Sequence, residues 1–157
     1  MFKLATLNVR GLNPDKLNLI SDFFVRERLD FVCLQETMVS DEDSQSDLSK
    51  KWNGPSFWSP AIGRRGGVVI LGSPRTRANI SVWQKDDGGR LVSLLIVYEN
   101  VNINLVNIYA PTYPTERKIF FQSLTPFLFP NSRLVIAGDF NSYDSALDKM
   151  GGNPSTP

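Results

Sequence analysis

Histidine is absent from this sequence of 157 residues, and cysteine occurs only once, at Cys33. Because imidazole is the usual general base near neutral pH and the commonest zinc ligand, its absence excludes Ser-His-Asp hydrolases, Cys-His hydrolases and His-Glu-x-x-His metalloproteases within this chain. A single cysteine excludes an internal disulfide and a cysteine zinc cluster. It also favours an intracellular, reducing compartment.

Long apolar runs are missing as well: none approaches the ~20 residues of a membrane-spanning helix, so we expect no membrane partner. The 17 basic and 16 acidic residues nearly cancel, which means that any nucleic-acid binding must come from a local patch. The length and the 41% hydrophobic content predict one globular domain rather than a disordered chain.

What the sequence contains is an alternation of strands and helices. Residues 2–9 predict a strand, and Asn13, Pro14 and Asp15 predict a helix start that continues to about Arg28. Residues 31–34 are wholly apolar, as expected of a strand buried on both faces. These three elements form a βαβ unit, which predicts parallel pairing of its two strands. A polar, acidic stretch follows and runs into a short helix that ends near Trp52.

The remaining pattern is richer in strands. A pair of glycines opens a strand over residues 68–71, and turn residues separate three further runs at 79–84, 91–98 and 101–110, which predicts an antiparallel meander. A helix beginning at Pro114 carries Ile119, Phe120, Leu124 and Phe127, and a buried strand follows at 134–137. The class is α/β, with one domain over residues 1–150 and a frayed tail at 151–157.

Polar side chains stand directly after the apolar strands. Asn8 follows the first strand, Glu36 the second, Tyr109 ends the meander, and Asp139 with Asn141 follows the last. Singly, each has an ordinary structural interpretation as a turn former, an exposed charge or a core aromatic. Together they form an all-oxygen set at the strand ends where α/β sheets bind ligands. Such a set suits Mg²⁺ and phosphate, which predicts phosphodiester or phosphoryl chemistry rather than acyl transfer.

Other polar residues carry weaker predictions. Arg64 and Arg65 flank the glycine-led strand, and contact with DNA phosphates or a solvated hairpin rim are equally open interpretations. Lys16, Arg117 and Lys118 are most simply charges on helix surfaces. Cys33 lies in an apolar strand, which predicts a buried, inert thiol.

Four motifs occur in order along the chain: Thr-Leu-Asn8-Val-Arg-Gly, Leu-Gln-Glu36-Thr, Asn-Ile-Tyr109-Ala-Pro and Gly-Asp139-Phe-Asn141. They resemble the successive motifs of the endonuclease/exonuclease/phosphatase superfamily. The residues of these motifs are most similar to those of the apurinic-type endonuclease domains of LINE-type non-LTR retrotransposons. Asp148 resembles the acidic position that trails the last motif. The resemblance implies a partial four-layer α/β sandwich of the DNase I-like type.

The resemblance also implies roles for the site residues. Glu36 resembles the metal-binding glutamate, with Asn8 as its companion at the metal. Asp139 resembles the aspartate that shares this site and orients or deprotonates the attacking water. Asn141 and Tyr109 resemble the amide and the phenol that contact the scissile phosphate. The implied cofactor is Mg²⁺, with Mn²⁺ as an alternative, and the implied partner is DNA. A reverse-transcriptase region of the same polyprotein and action in the nucleus are implied as well.

The sequence differs from the family in one respect, and this difference leads to a further prediction. The family's later half, with a second aspartate and a closing Ser-Asp-His, has no counterpart in this sequence. We therefore expect the N-terminal part of such a domain, weakly active or inactive alone, with an exposed apolar face and an unprotected strand edge. The alternatives are a non-catalytic remnant, or an apurinic-site nuclease or phosphatase of the same superfamily.

Overall fold

The computed structural model describes residues 1–142, which form two four-stranded β-sheets and three α-helices. The strands and helices have the following bounds in chain order: β1 Leu4–Asn8, α1 Pro14–Glu27, β2 Phe31–Gln35, α2 Glu42–Trp52, β3 Ser56–Ser59, β4 Val68–Gly72, β5 Asn79–Lys85, β6 Leu91–Tyr98, β7 Val101–Tyr109, α3 Pro114–Gln122 and β8 Arg133–Asp139. A short 3₁₀ turn, Thr125–Phe127, lies between α3 and β8.

Both sheets combine parallel and antiparallel pairs. The first has the order β1-β2-β4-β3, with β1 parallel to β2 and the other pairs antiparallel. The second has the order β5-β6-β7-β8, with β8 parallel to β7. The parallel βαβ unit and the antiparallel meander of β5, β6 and β7 are therefore confirmed.

The sheets and helices stack in four layers. Helices α1 and α2 pack on the outer face of the first sheet, around Leu17, Phe24 and Trp52. The inner faces of the two sheets share a core that includes Phe31 and Leu94. The segment from α3 through the 3₁₀ turn covers the outer face of the second sheet. This arrangement confirms the predicted α/β sandwich.

Helix α1 illustrates how local sequence sets the elements. The Asn13 side chain accepts a hydrogen bond from Lys16 N at 2.8 Å, and Pro14 occupies the first helical position. Leu17, Ile20 and Phe24 form its buried stripe. This helix spans the distance between the parallel strands β1 and β2, and so brings their carboxyl ends to the same edge.

Three sequence predictions differ from the structure. Strand β3 was not predicted, because four residues with serine at each end give too short an apolar pattern. Helix α3 ends at Gln122 rather than continuing to Phe127, since Pro126 has no N–H to donate to the Gln122 carbonyl and its ring would clash with that carbonyl in a continued α-helix. Strand β8 is not fully buried: Leu134 is 49% exposed.

The exposure of Leu134 follows from the position of β8. Within the described residues, β8 and β1 are each the last strand of their sheet, and Leu7 on β1 is 51% exposed. The expected unprotected edge with exposed apolar side chains is thus present in this part of the chain. No helix among residues 1–142 is long and apolar enough to cross a membrane. The predicted tail at 151–157 and Asp148 lie outside the described residues.

Candidate active site

The two parallel strand pairs bring the predicted site residues to one end of the sandwich. Asn8 is in register with Gln35, the residue before Glu36, across β1 and β2. Tyr109 is in register with Asp139 across β7 and β8. Strands β1 and β8 contact each other between the sheets. The carboxyl ends of all four strands therefore meet at one location.

Asn8 joins the two carboxylates directly. Its Nδ2 donates hydrogen bonds to Glu36 Oε1 at 2.8 Å and to Asp139 Oδ2 at 2.9 Å, although Asp139 is 131 positions away. Its Oδ1 accepts from the Arg10 backbone N–H at 3.1 Å, which fixes the orientation of the amide. One carboxamide thus holds two acidic groups on neighbouring sheets close together.

Several non-glycine residues in the segments that carry these groups have left-handed backbone conformation. Arg10, Glu36, Met38 and Asn141 all have positive φ values, between 46° and 56°. Non-glycine residues seldom adopt this left-handed region, and such residues concentrate at functional sites. Three of them, Arg10, Glu36 and Asn141, are hydrogen-bonded to Asn8 or to Asp139.

Hydrogen bonds between loops hold Glu36 in this conformation. The carbonyl of Glu36 accepts from Gly11 N at 2.7 Å, and Thr37 N donates to Gly67 O at 3.0 Å. Gly67 has φ 83°, and a Cβ atom there would collide with Thr37 Oγ1. Glycine is thus required at position 67 for the loop after β2 to pack this closely.

Tyr109 contributes a phenol next to the acidic pair. Burial raises its pKa above the ordinary value, and the neighbouring Glu36 carboxylate raises it further, while Arg90 acts in the opposite direction. The Arg90 guanidinium lies 5.1 Å from the centre of the Tyr109 ring, and its Nη1 donates to Tyr109 O at 2.9 Å. The phenol therefore stays protonated at neutral pH and can donate a hydrogen bond.

Asn141 is fixed against both Asp139 and the loop after β7. Its backbone N–H donates to Asp139 Oδ1 at 3.0 Å, and its Nδ2 donates to Ala110 O at 2.6 Å. The side-chain amide still has a second N–H. Asp139 therefore accepts from Asn8 on one oxygen and from Asn141 on the other, which sets the direction of its carboxylate.

A buried polar bridge beneath the site was missed by the sequence analysis. Asn107 is fully buried, and its Nδ2 donates to Leu34 O and Val69 O of the other sheet, both at 3.0 Å. Gln35 Nε2 donates to Asn107 Oδ1 at 2.8 Å. The available signal was an asparagine within the apolar strand at 101–109, since a buried amide must find partners.

Lys16 and Arg117 are corrections to the sequence analysis, which described both as helix-surface charges. Lys16 Nζ donates to the carbonyls of Val9, Arg10 and Gly11 at 2.7, 3.2 and 2.9 Å. Arg117 Nη1 donates to backbone carbonyls of the loops that follow β7 and β8. Both cations lie among the first four residues of a helix, where the macrodipole disfavours positive charge. A cation in the first turn of a helix was therefore the sequence signal that each side chain has a stabilising hydrogen-bond partner.

Arg64 and Arg65 lie on an exposed turn beside the site. They are followed by Gly66, whose carbonyl accepts from Met38 N at 3.0 Å in the loop after Glu36. A Cβ atom on Gly66 would lie 3.8 Å from Tyr109 Cδ1. The two arginines therefore lie at the rim of the site, on the turn that leads into this contact.

The donor set is consistent with a hard divalent cation. Within residues 1–142, no three acidic, cysteine or histidine side chains are arranged so that they could hold a metal ion. The site offers two carboxylates, and Mg²⁺ in proteins usually takes one or two while keeping several waters. Glu36 and Asp139 fit this requirement. Asn8 presents its nitrogen to both carboxylates, so its amide would have to rotate before its oxygen could bind a cation held between them.

Two face-to-face sheets with an oxygen-lined site at their strand ends define an α/β sandwich class, and the comparison with known families identifies which family this chain belongs to. The chain belongs to the endonuclease/exonuclease/phosphatase family, whose sequence pattern matches residues 5–154. This confirms the family resemblance of the four motifs.

Two curated relatives are similar over most of this chain. The Xenopus laevis transposon TX1 uncharacterized 149 kDa protein is 30% identical over 150 residues, which is 93% of this chain and 11% of that protein. The Bos taurus craniofacial development protein 2 is 27% identical over 146 residues, which is 88% of this chain and 24% of that protein. The chain thus spans only a small part of their length.

Solved structures share the fold. An AP endonuclease from Archaeoglobus fulgidus aligns with a TM-score of 0.69 at 22% identity, over 96% of this chain and 62% of the other. The 3′ phosphatase NExo from Neisseria, bound to product DNA hairpin, gives a TM-score of 0.72 at 18% identity, over 94% of this chain and 61% of the other. The chain spans about three fifths of each, and at these identities the likeness concerns the fold.

Proposed function

We propose that this chain is the N-terminal part of a Mg²⁺-dependent DNA endonuclease of a non-LTR retrotransposon. The observation that carries the proposal is the Asn8 amide, which donates to both Glu36 and Asp139 and so holds two carboxylates at one point. The similarity to a transposon protein supports the retrotransposon origin. A reverse-transcriptase region in the parent polyprotein and action in the nucleus belong to the same proposal.

Glu36 and Asp139 are the residues that would hold Mg²⁺ in this proposal, with Mn²⁺ as an alternative. When bound, the cation supplies positive charge that stabilises the phosphodiester as negative charge develops. Asn8 keeps the two carboxylates close together and directs their oxygens. Asp139 also accepts a proton from, or orients, the attacking water at its carboxylate, which is already aligned by Asn141 N.

Tyr109 and Asn141 act as neutral donors to the scissile phosphate. The raised pKa of Tyr109 keeps its hydroxyl hydrogen available at neutral pH. Asn141 offers the N–H that is not bonded to Ala110 O. Fixed donors aimed at developing charge stabilise a transition state more than they stabilise the substrate. Arg64 and Arg65 extend this surface toward the backbone of bound DNA.

Nicking of supercoiled plasmid tests the proposal. We expect slow relaxation that requires Mg²⁺ or Mn²⁺ and that falls at least about a hundredfold in Glu36→Gln and in Asp139→Asn, since each change removes a metal ligand or the water's base. Asp22→Asn is the matched control, because Asp22 is an exposed carboxylate on α1. Nicking without metal, or nicking that both site variants retain, contradicts the assignment.

A second candidate is supported by the solved neighbours, which include AP endonucleases and a 3′ phosphatase. Plain duplex, abasic duplex and a 3′-phosphorylated hairpin distinguish the two. Preferential cleavage of the abasic strand, or phosphate release alone, favours the second candidate. No turnover of any substrate at high protein concentration, with metal binding retained, favours a non-catalytic remnant.

A further inference from the structure

Arg117 connects two loops that carry site residues. Its Nη1 lies 2.9 Å from Thr112 O and 3.4 Å from Pro111 O, in the segment that follows Tyr109. The same nitrogen lies 2.8 Å from Asn141 O, in the segment that follows Asp139. One guanidinium nitrogen therefore links the loop after β7 to the loop after β8.

The position of Arg117 on its helix makes these contacts informative. It is the fourth residue of α3, near the end where the helix dipole disfavours a cation, and it is half-buried. The three carbonyl oxygens compensate for this cost. A planar guanidinium holds several acceptors in fixed directions, whereas an ammonium on a flexible stem does so less rigidly.

The contacts of Arg117 affect the backbone of Asn141 and, through it, the Asp139 carboxylate. Asn141 has left-handed backbone (φ 47°), its N–H donates to Asp139 Oδ1, and its carbonyl accepts from Arg117. Releasing that carbonyl frees the backbone of Asn141 to leave the left-handed region, and its N–H, which belongs to the preceding peptide group, then shifts relative to Asp139 Oδ1. The Asn141 side chain, bonded to Ala110 O, shifts as well.

We propose that Arg117 is a positioning residue that sets the Asp139–Asn141 turn against Tyr109, and that it does not contact the phosphate itself. This inference rests on the proposed function, because it concerns the alignment of the groups used there. Lys16 provides the corresponding support on the other sheet, where it binds three carbonyls of the loop that follows Asn8.

The kinetic test compares Arg117→Met, Arg117→Lys and the control Lys118→Met in plasmid nicking with Mg²⁺. Lys118 is exposed on the same helix and carries the same charge. We expect kcat to fall about tenfold to a hundredfold in Arg117→Met, because small misplacements of catalytic groups cost about that much. KM should change less than about threefold, Arg117→Lys should recover part of the rate, and Lys118→Met should match the parent.

Amide hydrogen exchange decides the inference independently of turnover. The amide of Ala110 donates to Asp139 O at 2.8 Å, and that of Asn141 donates to Asp139 Oδ1. In Arg117→Met, we expect both amides to exchange about tenfold faster, as expected when a hydrogen bond to a charged group is lost. The buried strand amides of Leu94 and Leu105 should be unchanged. If the parent chain does not nick DNA, the proposed function fails, while this exchange pattern still supports or refutes the role of Arg117.

Three results would overturn the inference. The first is an Arg117→Met variant with unchanged exchange at Ala110 and Asn141. The second is equal acceleration at Leu94 and Leu105, which indicates general loss of stability rather than a local positioning role. The third is nicking by Arg117→Met at the parent kcat, or an equal loss in Lys118→Met.

Discussion

Replacing Gly138 by alanine tests how closely β8 is held against β7 at the site. Gly138 has φ 142°, and a Cβ atom there would lie 2.8 Å from Ile108 N and 2.9 Å from Ile108 C, and closer still to Ile108 O. The next residue along β8 is Asp139, which is paired with Tyr109. A side chain at position 138 would therefore push the two strands apart where the acidic group and the phenol meet.

The expected loss of stability has two sources. Alanine in this region of φ costs about 2 kcal/mol in backbone strain. Overlap with backbone atoms that cannot rotate away adds about 2 kcal/mol. We therefore expect Gly138→Ala to lower the free energy of unfolding by about 4 kcal/mol, a large share of the 5–15 kcal/mol typical of a domain.

Gly63→Ala is the matched control for Gly138→Ala. Gly63 also has a positive φ, 60°, but nothing lies within 4 Å of the position of its Cβ atom. It should cost about 1 kcal/mol, the penalty for left-handed alanine alone. Urea denaturation of both variants measures the difference. Equal losses in the two variants, or a loss below about 1 kcal/mol in Gly138→Ala, would refute the close approach of β8 to Ile108.

Three further predictions follow from buried and titrating groups. Burial raises the pKa of the Cys33 thiol to about 12, so the thiol ionises first in the unfolded chain. This group should therefore lower stability by up to about 1.4 kcal/mol per pH unit between about pH 9 and about pH 12. Cys33→Ala should show a shallower slope than the parent in alkaline urea melts, and an equal slope in both proteins contradicts the prediction. The raised pKa of Tyr109 keeps its phenol protonated above the usual pH range. Because the Glu36 carboxylate contributes to this shift, Glu36→Gln should lower the midpoint of the phenol's absorbance titration. An unchanged midpoint would show that Glu36 does not act on Tyr109. Asn107→Leu should lower the free energy of unfolding by about 3 kcal/mol, because it removes the donor to Leu34 O and Val69 O. The control Asn102→Leu, on the exposed side of β7, should lower it by under about 0.5 kcal/mol in urea denaturation. Equal losses of stability in the two variants would argue against the buried bridge.

Periodicity and turn chemistry predicted most of the fold. The helix signal at Asn13 and Pro14 and the apolar run at 31–34 correspond to α1 and β2, and the turn at Glu99 and Asn100, both with positive φ, joins β6 to β7. What local patterns could not supply was the environment of each strand. Residues 134–137 are as apolar as a central strand, yet within the described chain β8 has a partner on one side only.

The candidate site could be predicted as a group of residues but not as a set of contacts. The positions of Asn8, Glu36 and Asp139 after apolar strands indicate a shared edge, because parallel strands present their carboxyl ends together. That one amide bridges both carboxylates depends on the packing of two sheets, which no local spacing encodes. Arg117 was assigned to a helix surface for the same reason: its partners are backbone carbonyls of distant loops.

The pairing of Glu36 and Asp139 around one cation is tested most directly by Mg²⁺ titration of the whole chain, observed at the side-chain amide resonances of Asn8 and Asn141. We predict saturable, one-site shifts of both amides, which disappear in Glu36→Gln and in Asp139→Asn and persist in Asp22→Asn. Shifts that survive both site substitutions, or shifts confined to the acidic start of α2 at Glu42 and Asp43, would contradict a metal site at the ends of these strands.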